Sequence, residues 1–188
     1  MKIPAAGGPP KKLLEVNLDE FTDFDCSGRA DGSCVFTDWK LGEFVFHALD
    51  PIRGVGKELA KTRLGAATDF YIGISPDGGQ VVLASPDQLP EKVRIIDLQT
   101  GLERDLQLPH GWLIWSLRWT AEGDALIAAA QSKSGYFIAR IHLDGKTDVL
   151  LDKGRNHWLG HAFPSTDGRY LAFTQMTYEN NVWLLANF

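Results

Sequence analysis

Short apolar runs alternate with polar, glycine-containing gaps along most of the chain, and no stretch sustains the 3.6-residue period of a helix. The runs come in a fixed order. A first strand, DFYIGIS, LIWSLRWT or WLGHAFPS, leads into a turn that carries an acidic residue and a glycine. A second strand leaves the turn as SCVFTD, QVVLAS, DALIAAA or RYLAFTQ, and after a polar loop a third follows as FVFHALD, VRIIDL, YFIARIHL or VWLLANF. In three units a further turn opens a fourth strand, KELAKTRL, LERDLQL or KTDVLL. The turn pairs are Asp31-Gly32, Asp77-Gly78, Glu122-Gly123 and Asp167-Gly168, so the glycines step by 46, 45 and 45 residues. Glycine tolerates the positive φ of a tight hairpin, which explains its place in each turn.

A repeat of about 40–45 residues carrying four strands is the pattern of a propeller blade. The expected fold is therefore all-β: a β-propeller of about four four-stranded antiparallel blades, forming one domain over 1–188 with blades near 19–64, 68–109, 112–153 and 157–188. Two closures stay open. The segment KKLLEVN, 11–17, has the character of a fourth strand that could complete the last blade beside 181–187 and remove an exposed edge. Alternatively the four blades form an arc, either part of a longer protein or one partner of a two-chain ring of eight.

The turns resemble those of the TolB-like, WD-repeat-related propellers, whose blades carry an SPDG signature. Ser75-Pro76-Asp77-Gly78 matches it fully, Ser165-Thr166-Asp167-Gly168 lacks the proline, and Thr120-Ala121-Glu122-Gly123 keeps its outline. FHALDPIRGVGKELA and NVWLLANF look like the carboxyl-terminal propeller that follows bacterial protein-kinase or winged-helix regulatory domains, neither of which lies within these 188 residues. The resemblance implies a non-catalytic interaction or sensory module with a protein or peptide partner. It also implies an extracytoplasmic setting if the parent is a membrane-anchored receptor.

Composition narrows the partners. With 44% hydrophobic residues the chain can build a core, and its net charge of −5 with a pI near 5.5 offers no footprint for a nucleic-acid backbone. No segment reaches the ~20 apolar residues of a membrane helix, and MKIPAAGGPPKK lacks the apolar centre of a signal peptide, so no membrane insertion is expected. A homodimer through open blade edges is the remaining association.

Candidate chemistry is sparse. The Gly-x-Ser-x-Gly elbow of a hydrolase is absent, and Ser75 sits in a repeated hairpin where its hydroxyl suits a turn-holding bond. His157 and His161 have zinc-like i, i+4 spacing, but on a strand residues four apart lie roughly 13 Å from each other, so neither a metal nor a cofactor is expected. Asp19, Glu20, Asp23 and Asp25 read as a solvated blade edge, with Phe21 and Phe24 suiting a strand. Cys26 and Cys34 flank SGRADGS; a hairpin centred near Ala30 would place them opposite each other, as a disulfide or as two buried thiols. By period two, Trp115, Leu117 and Trp119 share one strand face, whereas Trp112 and Trp158 sit at equivalent blade positions in the preceding loops. The binding candidates are His110, Trp112, His157, Trp158 and His161. An enzyme reading, a metal-dependent hydrolase or lactonase-like propeller, would need three or more ligands converging on the axis. A structural fragment without its own activity is the third reading.

Overall fold

The computed structural model describes residues 6–10, 12, 21–28, 32–65, 69–89 and 91–177. Every regular element among them is a strand: β1 Phe21–Cys26, β2 Cys34–Lys40, β3 Glu43–Asp50, β4 Gly54–Arg63, β5 Tyr71–Ile74, β6 Gln80–Ala84 and β7 Lys92–Asp97. Then follow β8 Glu103–Gln107, β9 Leu113–Trp119, β10 Ala125–Ser132, β11 Gly135–His142, β12 Thr147–Gly154, β13 His157–Pro164 and β14 Leu171–Thr177. They form three four-stranded sheets, β1-β2-β3-β4, β5-β6-β7-β8 and β9-β10-β11-β12, and a two-stranded sheet, β13-β14, all antiparallel. The first strand of each sheet lies beside the first strand of the next, β1 by β5, β5 by β9 and β9 by β13. This is the all-β, roughly four-bladed propeller expected from the repeat. The proposed closing strand, 11–17 against 181–187, and the third strand of the last blade lie outside the described residues, Lys12 apart.

Turn chemistry explains why each first hairpin forms. In Ser75-Pro76-Asp77-Gly78 the Ser75 hydroxyl donates to Asp77 Oδ1 at 2.6 Å and accepts from the Gln80 N–H at 2.9 Å. Gly78, at φ 74°, returns its N–H to the Ser75 carbonyl. Ser165, Asp167 and Tyr170 repeat these bonds in the fourth blade. In the third, where Glu122 replaces the aspartate, Asp124 becomes the partner, accepting from the Thr120 hydroxyl at 2.8 Å and from Arg140 Nη2. The role survives a shift of two positions.

Alternation along the strands sets the packing. Val35, Phe44 and Phe46 of the first sheet meet Ile72, Ile74, Val81 and Leu83 of the second. Val82, Val93 and Ile95, on the second sheet's other face, meet Leu117, Trp119, Leu126 and Ile141 of the third. Ile127, Ala129 and Ile138 then meet Leu159 and Ala162 of the fourth. Sheets with both faces covered must carry central strands apolar throughout, and β10 is buried from Ala125 to Ala130.

One face assignment from period two is corrected. A bulge between Ala129 and Ala130 sets Ile114 and Ser116 on successive β10 partners and leaves Trp115 over. Ile114, not Trp115, therefore joins Leu117 and Trp119 in the core, and Trp115 is half-buried.

Candidate functional site

The inner edges of the first strands face the propeller axis, where among the described residues no further strand pairs with them, and side chains take over that bonding. Asp25 Oδ2 accepts from the Ile74 N–H at 3.0 Å, tying β1 to β5. Arg118 Nη1 donates to the Ile72 carbonyl at 2.7 Å and Trp119 Nε1 to the Gly73 carbonyl at 3.1 Å, tying β9 to β5. Ser116 Oγ accepts from the Ala162 N–H at 3.0 Å, tying β13 to β9. A cavity of about 290 Å³ opens at the hairpin end of this axis, with walls from all four blades: Asp25, Ile74, Arg118, Phe163 and Thr166 among them.

The mouth combines an aromatic face with charges of both signs. The Arg118 guanidinium lies over the Phe163 ring, 5.1 Å from its centroid, and the His161 ring stacks against Phe163 at 5.8 Å and 28°. Asp23 is open to water yet hemmed in by protein, and this partial burial holds its carboxyl above the usual carboxylate range. The Phe24 N–H and the Arg118 charge pull it down, and the Asp25 charge pushes it up. Gly28, just beyond β1, closely approaches the fourth blade: a methyl placed on it would sit 2.6 Å from Thr166 Cγ2. The β1–β2 register is symmetric about residue 30, pairs Cys26 with Cys34 and joins their sulfurs at 2.00 Å. Cys26 borders the axial cavity.

The residues singled out from sequence fall in two places. His161 is at the axial mouth. His110, Trp112, His157 and Trp158 lie at the opposite end, where the inner strands begin. There His110 Nδ1 pairs with Glu91 Oε1 at 2.5 Å, and the Gly111 N–H shares that oxygen. Trp112 is half-buried and meets Phe137 edge-on at 4.5 Å, so packing takes most of its surface. Trp158 lies across Gly160 beside Thr174, half-buried, and His157 Nδ1 is 3.1 Å from Thr177 Oγ1. Asp25, expected on a solvated blade edge, instead reaches the axis; Asp19 and Glu20 lie outside the described residues. Among the described residues no group of three or more His, Cys, Asp or Glu side chains could hold a metal ion, and no helix is long and apolar enough to cross a membrane.

The axial group escaped the sequence reading because Asp25, Arg118 and Phe163 share no residue type. A signal existed, however. Gly73, Arg118 and Phe163 each stand two residues before the Ser or Thr of their turn, so one column of the repeat holds them.

No family model matches the chain, and no curated protein matches it. Among solved structures it is similar to TolB from Acinetobacter baumannii, with a TM-score of 0.72 and 19% identity over 95% of this chain and 43% of that one. It is also similar to a protein described as TolB from Agrobacterium tumefaciens (TM-score 0.59, 19% identity, 77% of this chain and 50% of that one). A third is the Cps50 (Swd1) β-propeller domain from Myceliophteria thermophila (TM-score 0.53, 16% identity, 75% of this chain and 45% of that one). The fold is that of a TolB-like β-propeller, and the chain spans half or less of the length of each of these structures.

Proposed function

We propose that this propeller is a non-catalytic interaction or sensory module, belonging to a larger bacterial regulatory protein, that receives a protein or peptide segment at its axial mouth. One observation carries the reading: four blades converge on an open cavity where Phe163 is flanked by Arg118 and His161 and carboxylates stand nearby. An aromatic face with a guanidinium over it is the kind of anchor that dominates recognition surfaces, since it offers large area at low entropy cost. His110, Trp112, His157 and Trp158 form a secondary surface at the other end. The Cys26–Cys34 bond supports an extracytoplasmic setting, because such bonds persist in oxidising compartments.

A second copy of the chain is a further partner. Phe24 on the first sheet and Phe163 and Met176 on the fourth are 67%, 45% and 48% exposed, so among the described residues these side chains of the two end sheets are left uncovered. Solution mass separates the cases, 20.8 kDa for one chain and twice that for a pair.

Panning a displayed peptide library against the protein tests the main reading. Selected peptides should bind saturably and weaken at least tenfold against Phe163→Ala, a half-exposed site whose truncation spares the core. If no peptide binds saturably, or if binders ignore that variant, the axial mouth is not the receiving surface.

A further inference from the structure

At the end of the third sheet away from the axial mouth, a hollow of about 440 Å³ is lined by Gln131, Ser132, Lys133, Gly135, Tyr136 and Arg155. Its geometry is locked by local bonding. The β10–β11 hairpin turns through Lys133 and Ser134, with Ser132 opposite Gly135. The Ser134 N–H donates to Ser132 Oγ at 3.2 Å, and the two serine hydroxyls are 2.7 Å apart. Arg155, in the link to β13, folds back so that Nε and Nη2 both donate to the Lys133 carbonyl, at 3.0 and 2.5 Å. Gly135 and Gly154 are in backbone contact beneath this clasp.

The charges of the two cations are unspent. Arg155 is bonded to a neutral carbonyl, and among the described residues neither Lys133 nor Arg155 has a carboxylate partner. Among the described residues no acidic side chain lines the hollow, although the chain as a whole carries a net charge of −5. The Nε edge of Arg155 is used by the carbonyl, which leaves the outer Nη1–Nη2 edge, and two parallel N–H groups on one edge match the two oxygens of a carboxylate. Tyr136 and the aliphatic stems of Lys133 and Arg155 supply apolar wall beside those donors. Leu113, 43% exposed, is the β9 partner of Gln131, one of the lining residues.

We propose that this hollow is a docking site for an acidic peptide segment, taking a Glu or Asp side chain against Arg155 and Lys133 and the neighbouring apolar side chain against Tyr136. The site is separate from the axial mouth and does not depend on it. Fixing the guanidinium before binding reduces the ordering cost that an exposed arginine otherwise carries.

The test is an NMR titration of the 15N-labelled full chain with acetyl-Phe-Glu-Glu-Phe-amide and with the same peptide carrying Gln for Glu. Saturable shifts are expected at Ser132 to Tyr136 and Arg155, with affinity at least tenfold lower for the Gln peptide and falling as salt is raised. Lys133→Met keeps the backbone carbonyl that holds Arg155, so it should weaken binding several-fold while leaving the unliganded spectrum near Gly154 unchanged. Arg155→Met should weaken it further. Equal binding of the Gln peptide, shifts centred elsewhere, or indifference to Lys133→Met would overturn the proposal; inorganic phosphate that shifts the same amides saturably while the Glu peptide does not would overturn it too and reassign the hollow to free anions. Because Phe163→Ala lies outside this site, loss of peptide binding at one end and not the other shows which of the two readings has failed.

Discussion

At the residue scale, stability rests on polar side chains that complete the backbone's bonding. Ser75 is buried at 4% exposure, and removing its hydroxyl takes the acceptor from the Gln80 N–H and the donor from Asp77. Ser75→Ala should cost about 1–2 kcal/mol in urea unfolding, and Ser165→Ala, at the more open fourth turn, measurably less. Arg94 is the denser case. It donates to Asp105, to the Thr62 hydroxyl and to the Arg63 carbonyl, so it clamps the second sheet to the outer strand of the first. Its hydrogen bond and charge hold the Asp105 carboxyl below the usual range, with Lys92 adding to the effect. A depressed carboxylate binds fewer protons folded than unfolded, so its contribution is present above the unfolded pKa of ~3.9 and is lost as pH falls through the folded value. Arg94→Met should cost about 2 kcal/mol at neutral pH and flatten the loss of stability on acidification. Asp23 carries the opposite sign. Its raised carboxyl weakens the fold as pH climbs through the folded value, so Asp23→Asn should stabilise the protein at pH 7 and make no difference at pH 3, as followed by thermal unfolding. A variant less stable at pH 7 would mean the carboxylate itself is needed at the mouth.

At the element scale, hairpins and sheet order were legible in the sequence because the same Ser/Thr-x-acid-Gly chemistry recurs and the strands it joins alternate. QVVLAS and DALIAAA announce central strands by being apolar on both faces, and β6 and β10 are those strands. The Trp115 bulge was not legible, since period two assumes an unbroken register and nothing in LIWSLRW marks the extra residue. Nor was the axial mouth, because its distances run between blades roughly 45 residues apart and depend on side chains that differ from copy to copy. The β1–β2 hairpin shows an element held by more than its ladder. Cys26–Cys34 closes a loop with a sequence separation of 8, and loop-closure entropy for that length amounts to about 2–3 kcal/mol. The Cys26→Ser, Cys34→Ser double variant should lose that much stability, and reductant should lower the midpoint of the parent chain while leaving the variant where it is. Equal midpoints for the two proteins without reductant would place the hairpin's stability in the ladder alone.

Across the whole molecule, each sheet touches mainly its neighbours, so stability is a chain of junctions and not one shared core. The junctions are unequal among the described residues. Those between sheets one and two and between sheets two and three bury long rows of aliphatic and aromatic side chains, whereas the third and fourth sheets meet through Ile127, Ala129, Ile138, Leu159 and Ala162. Two of those five are on the fourth sheet, and β14 is exposed from Ala172 to Thr177. Opening free energies follow buried apolar contact, so the fourth sheet should open well before global unfolding. Hydrogen exchange followed by mass spectrometry should find β13 and β14 exchanging first, β6 and β10 last, with the β1 hairpin retarded relative to β14 by its disulfide. If a second copy covers the exposed faces of the end sheets, protection of β13 and β14 should rise with protein concentration while that of β6 stays constant. Uniform exchange at every concentration would mean that the sheets unfold as one unit and that the junction between the third and fourth is as strong as the others.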